Sequence, residues 1–157
     1  MKRSEINALI VAAKQFMAEY RFALPAFAYW TPQQWSEKDS DCSEIVRAQL
    51  GWDITDFGSG DFARRGLLLF TIRNGLLGQG GKTYAEKIMI VRENQETPTH
   101  FHFQKMEDII NRGGGELVIQ LWNSDEREDL ADSDVRVSVD GVVKVLPAGG
   151  KVSLKPG

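Results

Sequence analysis

Both histidines of the chain fall within one seven-residue stretch, Thr97-Pro98-Thr99-His100-Phe101-His102-Phe103, and Glu107 follows five residues after the second. Residues i and i+2 of a strand point to the same side. An extended segment here would therefore aim both imidazoles at one point. A carboxylate from Glu107 would complete a two-histidine, one-carboxylate face for a divalent metal. Strand parity changes between His102 and Glu107, so a bulge or turn must intervene. The bland alternative is two imidazoles on a solvated face. Against it stand the absence of any other histidine and the apolar runs on either side, Ile88-Met89-Ile90-Val91 and Leu117-Val118-Ile119-Gln120-Leu121. These runs suggest a segment lining a barrel rather than a surface.

The wider spacing is similar to the first signature of the cupin barrel, Gly-x5-His-x-His-x4-Glu-x6-Gly. Asn94 stands in place of the first glycine and Gly114 in place of the last. Asn for Gly is a mild departure, because both tolerate positive φ in a tight turn. The signature speaks for a fold more than for a reaction, since one fold hosts many chemistries.

The elements that would carry these residues can be read along the chain. Ser4 is an N-cap signal, and Ile6, Leu9, Ile10, Ala13, Phe16, Met17 and Tyr20 recur at amphipathic-helix spacing. Thr31-Pro32-Gln33-Gln34 has the pattern of a capping box with proline at the first helical position. Asp41-Cys42-Ser43-Glu44 repeats that logic, and Gly51 is expected to stop its helix. Residues 1–57 thus form a helical extension packed on a barrel, and residues 58–157 the barrel itself. Its strands are expected at 67–72, 84–91, 116–122, 135–139 and 142–146, the last two joined by Asp140-Gly141, a strong hairpin signal. The fold class is mainly β, a cupin or jelly-roll-like barrel with an N-terminal helical extension. Residues 125–134 read as an acidic loop, and Gly113-Gly114-Gly115 as a turn rather than a phosphate cradle.

Composition narrows the class. At 157 residues, 42% hydrophobic and 26% charged, this is a one-domain globular chain. A formal charge of −3 without a basic run argues against nucleic acid as the main partner. The single cysteine, Cys42, excludes an intrachain disulfide framework and suits a reducing cytoplasm, the expected location. As no other histidine is available to serve as its base, Cys42 reads as a structural thiol. No stretch reaches the ~18 apolar residues of a membrane span, and the N-terminus lacks the pattern of a signal peptide. Trp30, Trp35, Trp52 and Trp122 could stack on a ligand ring, with core packing the simpler reading. Arg64-Arg65 reads as a solvated loop.

The C-terminal residues 149–157 read as turn, strand and turn. In a cupin a second signature, Gly-x5-Pro-x-Gly-x2-His, supplies a fourth metal ligand, and Gly157 is placed to open it. The expectation is a fragment whose barrel is incomplete at its C-terminal end, with the fourth ligand beyond Gly157.

Over essentially its whole length the chain resembles the bacterial D-lyxose isomerase family of metal-dependent cupins. The resemblance rests on Phe27-Ala28-Tyr29-Trp30, on the run Tyr84-Ala85-Glu86-Lys87-Ile88-Met89-Ile90-Val91, and above all on the continuous motif from Gln95 to Gly115. It implies that His100, His102 and Glu107 are metal ligands, with Mn2+ the ion, and that Lys87 and Lys105 are active-site lysines. It further implies interconversion of D-lyxose with D-xylulose and of D-mannose with D-fructose, by a homodimer. The family's fourth ligand and C-terminal active-site residues have no counterpart here.

The chemistry suits such residues. Moving a carbonyl between C1 and C2 sends a proton from one carbon to its neighbour through an enediol, which a divalent ion and a lysine ammonium both stabilise. Two other classes share the ligand set. A non-haem iron dioxygenase would want an apolar pocket rather than two lysines. A non-catalytic sugar-binding cupin would normally carry an effector module, and none is visible.

Overall fold

The computed structural model describes residues 1–76, 78, 81, 83–103 and 105–157. Gln104, one residue of the motif, lies outside them. The chain divides into two compact units, residues 1–98 and 99–157.

The first unit begins with α1, Arg3–Glu19. Its cap is Lys2 rather than Ser4, because the Glu5 carboxylate reaches back to accept from the Lys2 N–H at 2.7 Å. That bond satisfies an otherwise orphaned donor. The capping box at Thr31 forms as its sequence dictates. Thr31 Oγ1 accepts from the Gln34 N–H and Gln34 Oε1 from the Thr31 N–H, opening α2, Pro32–Ser36. Asp41 caps no α-helix: the Asp39 carboxylate accepts from the Asp41 N–H and opens a 3-10 turn, Ser40–Cys42, after which Cys42 precedes the next helix. The following helix α3, Ser43–Arg47, is short. It stops at Ala48 and Gln49, the latter left-handed at φ 53°, and Gly51 (φ 114°) then opens the first strand.

That strand, β1 (Gly51–Thr55), falls inside the stretch expected to be helical extension. It pairs antiparallel with β2 (Leu67–Asn74), which in turn pairs with β3 (Ala85–Ile90). β2 is the centre of the sheet, so it is covered on both faces, and Phe70 is fully buried. Phe70 meets Met17 of α1, Leu24 and Ala28, with Phe27 stacked on it at 5.3 Å and Trp52 edge-on at 4.9 Å. The Trp52 indole N–H donates to the Ala28 carbonyl, so this tryptophan packs in the core. At the end of β2, Asn74 Nδ2 donates to Ala48 O and the Gly75 N–H to Tyr84 O, both at 3.0 Å.

A clasp precedes the histidines. Gln95 is buried, donates from Nε2 to Phe62 O and accepts at Oε1 from the Arg92 N–H. Gly66 fits beneath it only as glycine, since a Cβ would lie 2.5 Å from Phe62 O. Asn94 closes the turn at φ 57°, the left-handed conformation for which Asn replaces Gly.

The second unit is built from paired strands. β4 (Leu117–Leu121) pairs with β9 (Gly150–Leu154), β5 (Asn123–Ser124) with β6 (Leu130–Ala131), and β7 (Val135–Val139) with β8 (Val142–Leu146). All are antiparallel. Asp140 and Gly141 carry φ of 52° and 77°, the two positive values of a type I′ hairpin. The segment read as an acidic loop instead holds the tip of the β5–β6 hairpin and β6 itself. The molecule is mainly β with an N-terminal helical region, in short antiparallel sheets of the kind a jelly roll contains. Among the described residues these form four separate sheets, of three, two, two and two strands, and none closes into a barrel. No helix there is long and apolar enough to cross a membrane.

Candidate functional site

The histidine segment is not a strand. Residues 97–103 carry no strand assignment, and His100 and His102 are exposed. Proline explains part of the difference, because Pro98 has no N–H to give to a ladder. The two rings nonetheless come together, their centroids 4.9 Å apart and edge to face. Local folding of the segment, rather than strand pleating, brings them there.

Glu107 reaches the second ring, with Oε2 3.4 Å from His102 Nε2. Its other oxygen, Oε1, accepts from the Lys105 ammonium. Lys105 is thus joined to the carboxylate that sequence spacing grouped with the imidazoles. The segment after Glu107 is anchored by Asn111. Its Nδ2 donates to Gly115 O and to Leu154 O of β9, both at 2.8 Å, and its Oδ1 accepts from the Gly113 N–H at 3.1 Å. Asn111 lies inside the motif, yet its polar side chain carried no signal separating it from an ordinary loop asparagine.

The charges within the group favour its deprotonated ligands. Partial burial of the His102 ring lowers its pKa, as does the Lys105 ammonium, and together these outweigh the Glu107 carboxylate that raises it. For Glu107, burial acts upward, but the hydrogen bond and charge of Lys105 and the charges of the two imidazoles prevail, so its pKa is lowered. A neutral imidazole and an ionised carboxylate are the forms a metal requires.

The donor set has the chemistry of a divalent site. Two donors about 2.1 Å from one ion and at right angles are roughly 3 Å apart, and the His102–Glu107 separation of 3.4 Å approaches that. Among the described residues, no three His, Cys, Asp or Glu side chains stand together as a complete metal-holding group. His102 and Glu107 are the joined pair, with His100 beside them.

Lys87 lies in the first unit, on β3 opposite Thr71. It is exposed, and shares its face of the strand with Met89, while Ile88 and Ile90 turn to the core. Cys42 donates from its thiol to Asp39 O, closing a local turn. Trp30 and Trp35 pack edge to face at 4.8 Å, and Lys38 lies over the Trp30 ring. Trp122 behaves differently from the other three tryptophans. It lines an open cleft of about 420 Å³ in the second unit, together with Thr99, His100, Gln120, Asn123 and Glu128 among others. Sequence reasoning missed Gln120, Asn123, Glu128 and Asp129, because these neighbours in one stretch face a common cleft only once the β5–β6 hairpin turns the chain back.

The whole chain, residues 1–157, matches the D-lyxose isomerase family. The chain belongs to that family. It is 48% identical over 161 residues to the D-lyxose/D-mannose isomerase of Escherichia coli O157:H7, covering 100% of this chain and 70% of that protein. It is 47% identical over 162 residues to the D-lyxose/D-mannose isomerase of Serratia proteamaculans, with the same shares covered. Membership in the D-lyxose isomerase family makes the chain one of a group of enzymes, sugar isomerases of the intramolecular oxidoreductase kind.

Proposed function

We propose that the chain carries the metal-binding part of an aldose–ketose isomerase, acting on D-lyxose and D-mannose with Mn2+ as the ion. The observation that supports this most is the joined group of His102, Glu107 and Lys105 with His100 beside it, inside the motif shared with the family. His100, His102 and Glu107 would hold the ion, which when bound polarises the carbonyl and stabilises negative charge on the sugar oxygens.

Two of the chain's own lysines would act at the sugar oxygens. Reaction moves a proton between C1 and C2 through an enediol, so a group must give and take a proton at the sugar oxygens. Lys105 would do this at Nζ, a reading supported by the ion pair between its ammonium and the Glu107 carboxylate. While protonated it has no lone pair to offer a metal, so its part is toward the substrate. Lys87 is the second lysine of this reading, a source of positive charge for the enediolate oxygens. The reading is tested by assaying an aldose panel for ketose formation with and without added Mn2+. Ketose formed from D-lyxose or D-mannose, and dependent on the ion, is the expected result. Oxygen uptake with an iron-loaded sample and no isomerisation would favour a dioxygenase instead.

A further inference from the structure

The cleft of the second unit presents an unusual balance of hydrogen-bonding groups. Asn123 spends its amide N–H groups on Ser133 Oγ at 2.9 Å and Asp134 O at 3.0 Å, which leaves Oδ1 as an acceptor. Gln120 donates from Nε2 to Gly149 O at 2.9 Å and likewise retains Oε1. The Glu128 carboxylate has no partner among the described residues, and Asp129 spends Oδ1 on the Leu130 N–H. Four side chains of the lining thus offer oxygen acceptors, two of them charged. Among the described residues, no lysine or arginine lines the cleft.

The positions of these groups are fixed by the β5–β6 hairpin. The Asp125 carboxylate accepts from the Arg127 and Asp129 N–H groups at 2.8 and 3.0 Å, and the Glu128 N–H donates to Asp125 O. Arg127 is drawn toward Asp125 rather than the cleft. The same cleft is also lined by Leu121, Trp122 and Phe101. The indole of Trp122 is backed by Gly149, where a Cβ would come within 3.2 Å of the ring. A pocket of this size, with apolar walls and a few convergent polar groups, suits a small-molecule ligand. The surplus of acceptors and the two negative charges select one that is rich in donors and carries no negative charge.

We propose that this cleft is a subsite for the hydroxylated tail of a neutral aldose, held by Gln120, Asn123, Glu128 and Asp129 against Trp122, with His100 at the rim where the reacting end begins. The proposal rests on the isomerase reading for the identity of the sugar, but not for the cleft itself. Phosphorylated sugars are refused, because their charge meets two carboxylates and no cation among the described lining residues. The occupant is a polyol chain, so a non-isomerisable polyol is the right probe.

The test follows the Trp122 indole N–H resonance while D-mannitol, and separately a hexitol phosphate, is titrated onto the wild-type protein and the double variant Glu128→Gln/Asp129→Asn. Wild type should respond saturably to D-mannitol and not to the phosphate. The double variant should bind D-mannitol about ten-fold more weakly, the scale of losing a charge-assisted hydrogen bond, and should raise KM for the aldose more than it lowers kcat. Equal D-mannitol binding by variant and wild type, or no response in wild type, overturns the subsite. If D-mannitol binding behaves as expected while wild type isomerises no aldose, the isomerase reading fails and the subsite stands. If isomerisation is present and KM is unchanged in the variant, the subsite fails alone.

Discussion

At the scale of single residues, one carboxylate serves two neighbours. Glu107 offers one oxygen to His102 and the other to the Lys105 ammonium. The pairing separates two roles that spacing alone leaves mixed, because a lysine that only neutralised charge could sit on any nearby acid. Lys105→Ala should therefore retain metal, since both imidazoles and Glu107 remain. Turnover should fall by ~10²-fold or more, the usual cost of losing one acid–base group. Metal content by atomic absorption, read beside initial rates on D-lyxose, checks both halves. Unchanged turnover would return Lys105 to the role of a solvated surface lysine.

At the scale of elements, several local signals were read correctly, while the caps expected at Ser4 and Asp41 moved to neighbouring residues. Asp140-Gly141 made its I′ hairpin, Thr31-Pro32 its capping box, and Asn94 its left-handed turn. The larger failures occurred where partners distant in sequence decide. Strand alternation was expected to align His100 and His102, yet no strand pairs with that segment among the described residues, and Pro98 withholds a donor at its start. The acidic stretch after Trp122 gave no strand periodicity because β5 and β6 are only two residues each. Asn111 shows how such a segment holds its place without a ladder, by tying three backbone groups with one side chain. Asn111→Ala should lower stability by about 1–3 kcal/mol, the range for leaving polar partners unsatisfied. A urea denaturation midpoint checks this, and metal affinity should fall with it because Glu107 loses its anchor.

At the scale of the whole molecule, the family was legible because the run from Gln95 to Gly115 is specific, whereas the arrangement of sheets was not. The chain accounts for 70% of the length of the relatives it matches. A resident ion held by three side chains links binding to folding, since it stabilises only the state that gathers them. Chelation should therefore lower the thermal midpoint of the purified protein, and Mn2+ should restore it. With free ion at about 100 times its dissociation constant the expected gain is ~2.7 kcal/mol. A midpoint indifferent to chelator would argue against a resident ion.

The end of β2 also sets a chemical clock. Asn followed by Gly is the dipeptide most open to succinimide formation, in which the glycine nitrogen attacks the asparagine side-chain carbonyl and ammonia leaves. Here both participants are tied, the Gly75 N–H to Tyr84 O and Asn74 Nδ2 to Ala48 O. Deamidation at Asn74 can proceed only while those bonds are open, so its rate in aged samples reports how often this corner of the sheet comes apart. Peptide mapping should find Asn74 intact under native conditions and converted in urea. Equal conversion in both would mean that the corner is open most of the time.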